Sequence, residues 1–160
     1  MFEKYGLYNT KLVRNQDIEL SKRIINGGGK IIIIPDTYCT YMARETYKGL
    51  AKNNFGNGKW NILTVYYTNN MKSLSLRHFI PLLFVLGLVV PTLVGLFWHP
   101  ALFLSAFVLF VYLLALGCVS MKLAIDKSLN FVYLLWSFIV LHCSYGWGSM
   151  VGILKLPFIK

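Results

Sequence analysis

The stretch Arg14-Asn15-Gln16-Asp17-Ile18-Glu19-Leu20-Ser21-Lys22-Arg23-Ile24 carries two of the six acidic residues of this 160-residue chain, and its carboxylates are the side chains best suited to proton transfer. On a helix at about 100° per residue, Ile18, Leu20, Ile24 and Ile25 form one apolar arc with Asp17 close to its centre. Glu19, Lys22 and Arg23 fall on the opposite side. A solubilising carboxylate belongs with Glu19. An inward carboxylate at the start of a helix is either a structural group, stabilised by the helix dipole by about 0.3–1 kcal/mol, or a working acid/base. Spacing alone leaves both open.

The other chemistry-bearing residues point to less. No phosphate-loop pattern G-x-x-x-x-G-K-[ST], no nucleophile-elbow G-x-S-x-G and no zinc-helix pattern H-E-x-x-H occurs. Gly27-Gly28-Gly29 follows a helical pattern instead of preceding one, which suits a C-cap better than a phosphate cradle. His78, His99 and His142 are isolated. His142 lies in an apolar run, where an interhelical hydrogen bond is its expected role, with Ser144 and Tyr145 nearby. Cys39, Cys118 and Cys143 are an odd number without C-x-x-C spacing, which argues against a disulfide framework and a zinc site and for buried free thiols.

The elements that must position Asp17 follow from the flanking residues. Asn15 is the expected N-cap, and the glycine triplet ends the helix. Lys30-Ile31-Ile32-Ile33-Ile34 is a β-branched run closed by Pro35-Asp36, the signal of a buried strand. Four consecutive isoleucines need cover on both faces, as in the sheet of an α/β domain. Only a weak second strand is available, over 37–41, so the chain reads as part of a sheet domain. From 44 to 70 a helical pattern (Tyr47, Leu50, Ala51) is expected to break at Asn53-Asn54-Phe55-Gly56-Asn57-Gly58. Lys59-Trp60 and further aromatics then suit either a headgroup interface or a packed surface helix.

The second half belongs in a bilayer. The chain is 56% hydrophobic with a mean hydropathy of +0.57. No charged residue lies between Arg77 and Lys122, nor between Lys127 and Lys155. A span needs about 20 apolar residues, so the first run holds two spans, near 79–97 and 101–121, and the second holds one near 129–145. The region of Gly146, Gly148 and Gly152 is left either re-entrant or interfacial. The net charge is +10, and residues 1–77, with 12 basic against 5 acidic side chains, supply +7 of it. This asymmetry predicts that residues 1–77 and the loop at 122–128 face the cytoplasm. The basic residues are scattered singly, without a nucleic-acid motif, so the lipid surface is the expected partner and nucleic acid is not. The N-terminus has no apolar h-region, which argues against a cleaved signal peptide.

Taken in order, these features resemble the C-terminal part of a family 2 glycosyltransferase, most nearly the membrane enzymes of bacterial exopolysaccharide synthesis of the succinoglycan type. Met1-Phe2-Glu3-Lys4-Tyr5-Gly6-Leu7-Tyr8 is similar to an F-x-x-x-G-L-F/Y segment. Arg14-Asn15-Gln16-Asp17-Ile18-Glu19-Leu20 is similar to the N-E-D-x-E-L motif, with Gln16 in place of glutamate. Ile24 to Pro35 resembles the R-x-x-x-G-G-K-I-x-x-x-P continuation, except that Ile24-Ile25 stands just after Arg23. Tyr41-Met42-Ala43-Arg44-Glu45-Thr46 resembles Y-x-x-R-x-S/T. Asn54-Phe55-Gly56-Asn57-Gly58-Lys59-Trp60 resembles Q-[FY]-x-x-G-x-W, although asparagine or glycine stands where glutamine is expected. Arg77-His78-Phe79-Ile80-Pro81 and His142-Cys143-Ser144-Tyr145-Gly146-Trp147-Gly148 resemble membrane-half landmarks. The likeness covers nearly the whole chain and rests on the ordered set.

The resemblance implies an α/β fragment, the C-terminal part of a GT-A domain, over 1–45, then interfacial helices over 46–77. A membrane region of about three transmembrane helices follows over 78–160. It implies a multi-pass protein of the bacterial cytoplasmic membrane that transfers a sugar, with inversion, from a nucleotide-sugar donor to a lipid-linked or growing glycan acceptor. Asp17 matches the general base. Gln16, Lys59 and Trp60 match the vicinity of the acceptor and the donor phosphates. The family's divalent metal, Mg or Mn, is held by an Asp-x-Asp, and none occurs here. The expectation is therefore a C-terminal fragment without the donor-binding half, inactive alone and dependent on a separate chain for that half. The competing expectation is a non-catalytic membrane remnant or scaffold.

Overall fold

The computed structural model describes residues 1–159, and among them the fold is all-helical. Short α1 (Phe2–Tyr5) and α2 (Gln16–Asn26) precede a long α3 (Tyr47–Thr68). Two 3₁₀ turns, Met71–Ser73 and Leu76–Phe79, lead into α4 (Ile80–Gly95), α5 (Ala101–Lys127) and α6 (Phe131–Lys155). A last 3₁₀ turn, Leu156–Phe158, follows α6.

Three helical segments are long and apolar enough to cross a membrane: Leu76–Gly95, Ala101–Lys127 and Phe131–Phe158. The chain is a multi-pass membrane protein. The third segment is longer than expected because the helix continues through Gly146, Gly148 and Gly152 to Lys155. Cys39, Cys118 and Cys143 are all exposed, contrary to the expectation of buried thiols. For Cys118 and Cys143 the reason is that α5 and α6 offer apolar side chains outward as well as inward, as a lipid-facing helix does.

The expected α/β fragment is absent. No strand or sheet exists among the described residues, and 30–34 is unpaired backbone. Ile32 and Ile33 are 82% and 88% exposed. A β-branched run forms a strand only where another strand accepts its hydrogen bonds, and the weak segment at 37–41 is also unpaired. Replacing both Ile32 and Ile33 by lysine is therefore expected to change unfolding stability by no more than about 0.5 kcal/mol. Were they the core of a sheet, each would cost about 1.5–3 kcal/mol. Thermal unfolding followed by circular dichroism decides between the two.

The expected break in α3 is also absent, since the helix runs unbroken through its asparagine–glycine stretch. Glycines of α3 and α6 serve their packing. A Cβ on Gly58 would strike the carbonyl group of Tyr145, and one on Gly148 would strike that of Phe55. A Cβ on Gly152 would stand 2.8 Å from the carbonyl oxygen of Lys59. Helices α3 and α6 therefore pack backbone against backbone, the geometry that a small-x-x-x-small pair such as Gly148 and Gly152 permits. Ser149 Oγ donates to the Gly58 carbonyl at 3.1 Å across this seam. Thr92 and Ser105 share a hydrogen bond of 2.9 Å between α4 and α5.

Candidate functional site

Asp17 is the second residue of α2, and the backbone before it is pinned to α3. Arg14 Nη1 donates to the Asn53 carbonyl at 3.3 Å, to Asn53 Oδ1 at 3.2 Å and to Asn57 Oδ1 at 2.9 Å. Gly56 leaves room for that guanidinium, because a Cβ there would stand 2.9 Å from Arg14 Cζ. Asn15 takes a left-handed conformation, φ 63°, which asparagine tolerates better than most residues. It occupies the N-cap position without a side-chain capping bond. Its Nδ2 instead donates to Asn61 Oδ1 at 2.9 Å. Asn61 is 1% exposed, and its own Nδ2 donates to Tyr145 Oη and to the His78 carbonyl. A polar chain thus runs from the start of α2, through α3, to α6 and the foot of α4. Buried polar groups satisfied in this way fix relative placement. Gln16 turns back to donate to the Leu12 carbonyl.

The C-terminal end of α2 agrees with the sequence. Gly27 follows the helix as its C-cap, Gly28 has φ +80°, and Gly29 N–H donates to the Ile24 carbonyl at 2.8 Å. That is the left-handed cap glycine provides.

The helix faces another way than the apolar arc suggested. Glu19 is 7% exposed and lies with buried Leu20 and Ile24, whereas Asp17 is exposed. Glu19 is buried because Arg23 neutralises it through a two-point contact at 3.0 and 2.8 Å. The same guanidinium donates to the carbonyls of Tyr5 and Leu7 and so holds the N-terminal residues. Glu19 and Arg23 are four apart, a pairing legible in the sequence. The buried face is rotated by roughly a quarter turn from the expected one, and Ile18 and Ile25 wall an open cleft.

Asp17 lines that cleft, of about 220 Å³, with Lys22, Ser75, Arg77 and His78. His78 is fixed by its Nδ1, 2.8 Å from the Ser75 carbonyl oxygen, and by its own carbonyl on Asn61. The cleft sits where the first span begins, at Leu76. Ser75, Arg77 and His78 were not expected beside Asp17, since nothing in sequence spacing brings 75–78 to 17–25. Lys59 and Trp60 do not line the cleft. Trp60 stacks on Tyr67 with centroids 6.5 Å apart. Lys59 lies toward α6, where burial and then the nearby Lys155 ammonium hold its pKa below the ordinary lysine value. The divalent metal implied by the resemblance has no fitting residues, because no three His, Cys, Asp or Glu side chains converge among the described residues.

Within the membrane helices, Tyr112 Oη and His142 Nδ1 are 3.1 Å apart, the interhelical bond expected of His142 but with a partner on α5. Phe84 stacks on Tyr112 at 3.9 Å between centroids. Pro81, Phe84, Tyr112, Leu116, Phe138 and His142 surround an apolar cavity of about 270 Å³. Ser120 Oγ is buried without a partner, and nothing in the structure explains it.

Comparison with protein-family models, with characterised proteins and with solved structures gives no match for this chain.

Proposed function

We propose that this chain is the acceptor-side, membrane-anchored portion of an inverting glycosyltransferase, with Asp17 as its general base. The reading rests on the ordered motif resemblance and on one observation: Asp17 opens into a cleft at the foot of the first membrane span, beside Lys22, Arg77 and His78. A lipid-linked acceptor presents its sugar hydroxyl at that level. The Asp17 carboxylate would take the hydroxyl proton as the oxygen attacks the anomeric carbon and the nucleoside diphosphate departs, which requires hydrogen-bond reach of about 2.6–3.2 Å. The scheme has the cleft on the cytoplasmic face of a bacterial inner membrane, in line with the +7 charge of residues 1–77. Gln16 holds the loop before Asp17 through the Leu12 carbonyl. Lys59 and Trp60 have supporting places in α3 away from the cleft. The nucleotide sugar is bound by residues other than these 160.

Two measurements test the proposal. The purified chain alone is expected to turn over no nucleotide sugar. Membranes in which the chain supports transfer of a radiolabelled sugar to the lipid fraction should lose that transfer on Asp17→Asn. Undiminished transfer in the variant would leave a non-catalytic membrane scaffold as the reading.

A further inference from the structure

Two features with opposite chemistry stand near the foot of α4. One is the cleft holding Lys22, Arg77 and His78. The other is the apolar cavity among α4, α5 and α6. Arg77 belongs to the first, and Ile80, Pro81 and Phe84 to the second. Arg77 lies in the 3₁₀ turn that leads into α4, and Ile80, Pro81 and Phe84 share one face of the first two turns of α4. The cationic end thus stands about one turn before the apolar end along the chain.

Each end selects its occupant. The cleft has two permanent cations, Lys22 and Arg77, against the single carboxylate of Asp17, with Ser75 as a further hydroxyl. Its balance favours a phosphate group with a hydrogen-bond donor beside it for the carboxylate. Among the described residues lining the cavity, the polar side chains are Tyr112 and His142, and Tyr112 Oη pairs with His142 Nδ1. The remaining walls offer apolar contact alone, which suits a hydrocarbon chain. Ile80, Ala115 and Val119 at its edge are exposed on segments that cross the membrane, so a chain enters from the bilayer.

We infer that the cleft and the cavity form one site for a single anionic phospholipid with a hydroxylated headgroup, its phosphate on Lys22 and Arg77 and one acyl chain against Phe84 and Leu116. The site stands whether or not Asp17 acts in catalysis.

The test is electron spin resonance on the full chain in phosphatidylcholine vesicles at 0.1 M salt, with spin-labelled phosphatidylglycerol or phosphatidylcholine as the probe. The motionally restricted fraction should favour phosphatidylglycerol at least threefold. The preference should fall to near unity in Lys22→Gln/Arg77→Gln and survive in Arg77→Lys. Ala115→Trp, which fills the cavity from its open side, should at least halve the restricted phosphatidylglycerol. Circular dichroism establishes that each variant keeps its helices. Four results would overturn the inference: no preference in the wild type, a preference retained in the folded double variant, an equal loss in Lys122→Gln/Lys127→Gln, or displacement by 10 mM inorganic phosphate. The third would mean diffuse surface charge, and the fourth a free-phosphate site.

Discussion

Asn in place of Asp17 is expected to lower the initial rate of sugar transfer by about 10²–10⁴-fold, the usual contribution of a positioned general base. The protein should remain folded. Asp17 is exposed and its side chain makes no hydrogen bond or ion pair among the described residues, so the stability change should stay within about 0.5 kcal/mol. Glu19, two residues on, is the control. Its carboxylate is buried on Arg23, which also secures the carbonyls of Tyr5 and Leu7. Glu19→Gln weakens that pair and is expected to cost about 1–3 kcal/mol while leaving the chemical step in place. The two carboxylates thus separate by readout: rate without stability for Asp17, stability before rate for Glu19. The assay is label transfer to lipid in membranes, with thermal unfolding measured on the same preparations. A rate that falls with Glu19→Gln and is untouched by Asp17→Asn would remove Asp17 from the mechanism.

That contrast shows what sequence could and could not reveal. The membrane helices were legible because charge-free runs of this length have no other stable home. Helix α2 and its glycine cap were legible because the signals are local. So was the spacing of Glu19 and Arg23. Which side of α2 faces the protein was not legible, because it depends on Arg23 reaching the Tyr5 and Leu7 carbonyls, a tertiary fact. The isoleucine run misled for a related reason. Its local preference is for a strand, but pairing needs a distant partner that the described residues do not supply. In α3 the error ran the other way. Each glycine inside a helix costs roughly 1 kcal/mol relative to alanine, which reads as a break. Yet Gly58 allows an approach to α6 that no larger residue could make, and Gly56 leaves room for the Arg14 guanidinium. Of the candidate site, the position of Asp17 in the first turn of α2 was readable, whereas Ser75, Arg77 and His78 come to it through tertiary packing and through the hydrogen bonds of Asn15, Asn61 and the His78 carbonyl.

The seam between α3 and α6 should therefore control the site from a distance, and Gly148→Val is its sharpest test. A Cβ at 148 would stand 2.8 and 2.9 Å from the carbonyl carbon and Cα of Phe55. These are backbone atoms inside a helix, so no rotamer change relieves the clash, and α3 must move away. Overpacking of this kind costs typically about 1–3 kcal/mol, and the upper end applies because valine adds three carbons against main chain. Separation would also stretch the Ser149 bond to Gly58 and the contact of Asn61 with Tyr145. Asn61 holds Asn15, and α3 holds Arg14, so the start of α2 would lose its mount and the Asp17 cleft its geometry. Gly117→Val is the matched control: it lies in α5, where an added Cβ meets nothing within 4 Å. The expected result is a large fall in thermal midpoint and faster amide exchange across 47–68 for Gly148→Val, with neither for Gly117→Val. Equal behaviour of the two variants would mean that α3 is not held by close backbone approach, and the polar chain from Arg14 to Tyr145 could then not be what positions Asp17.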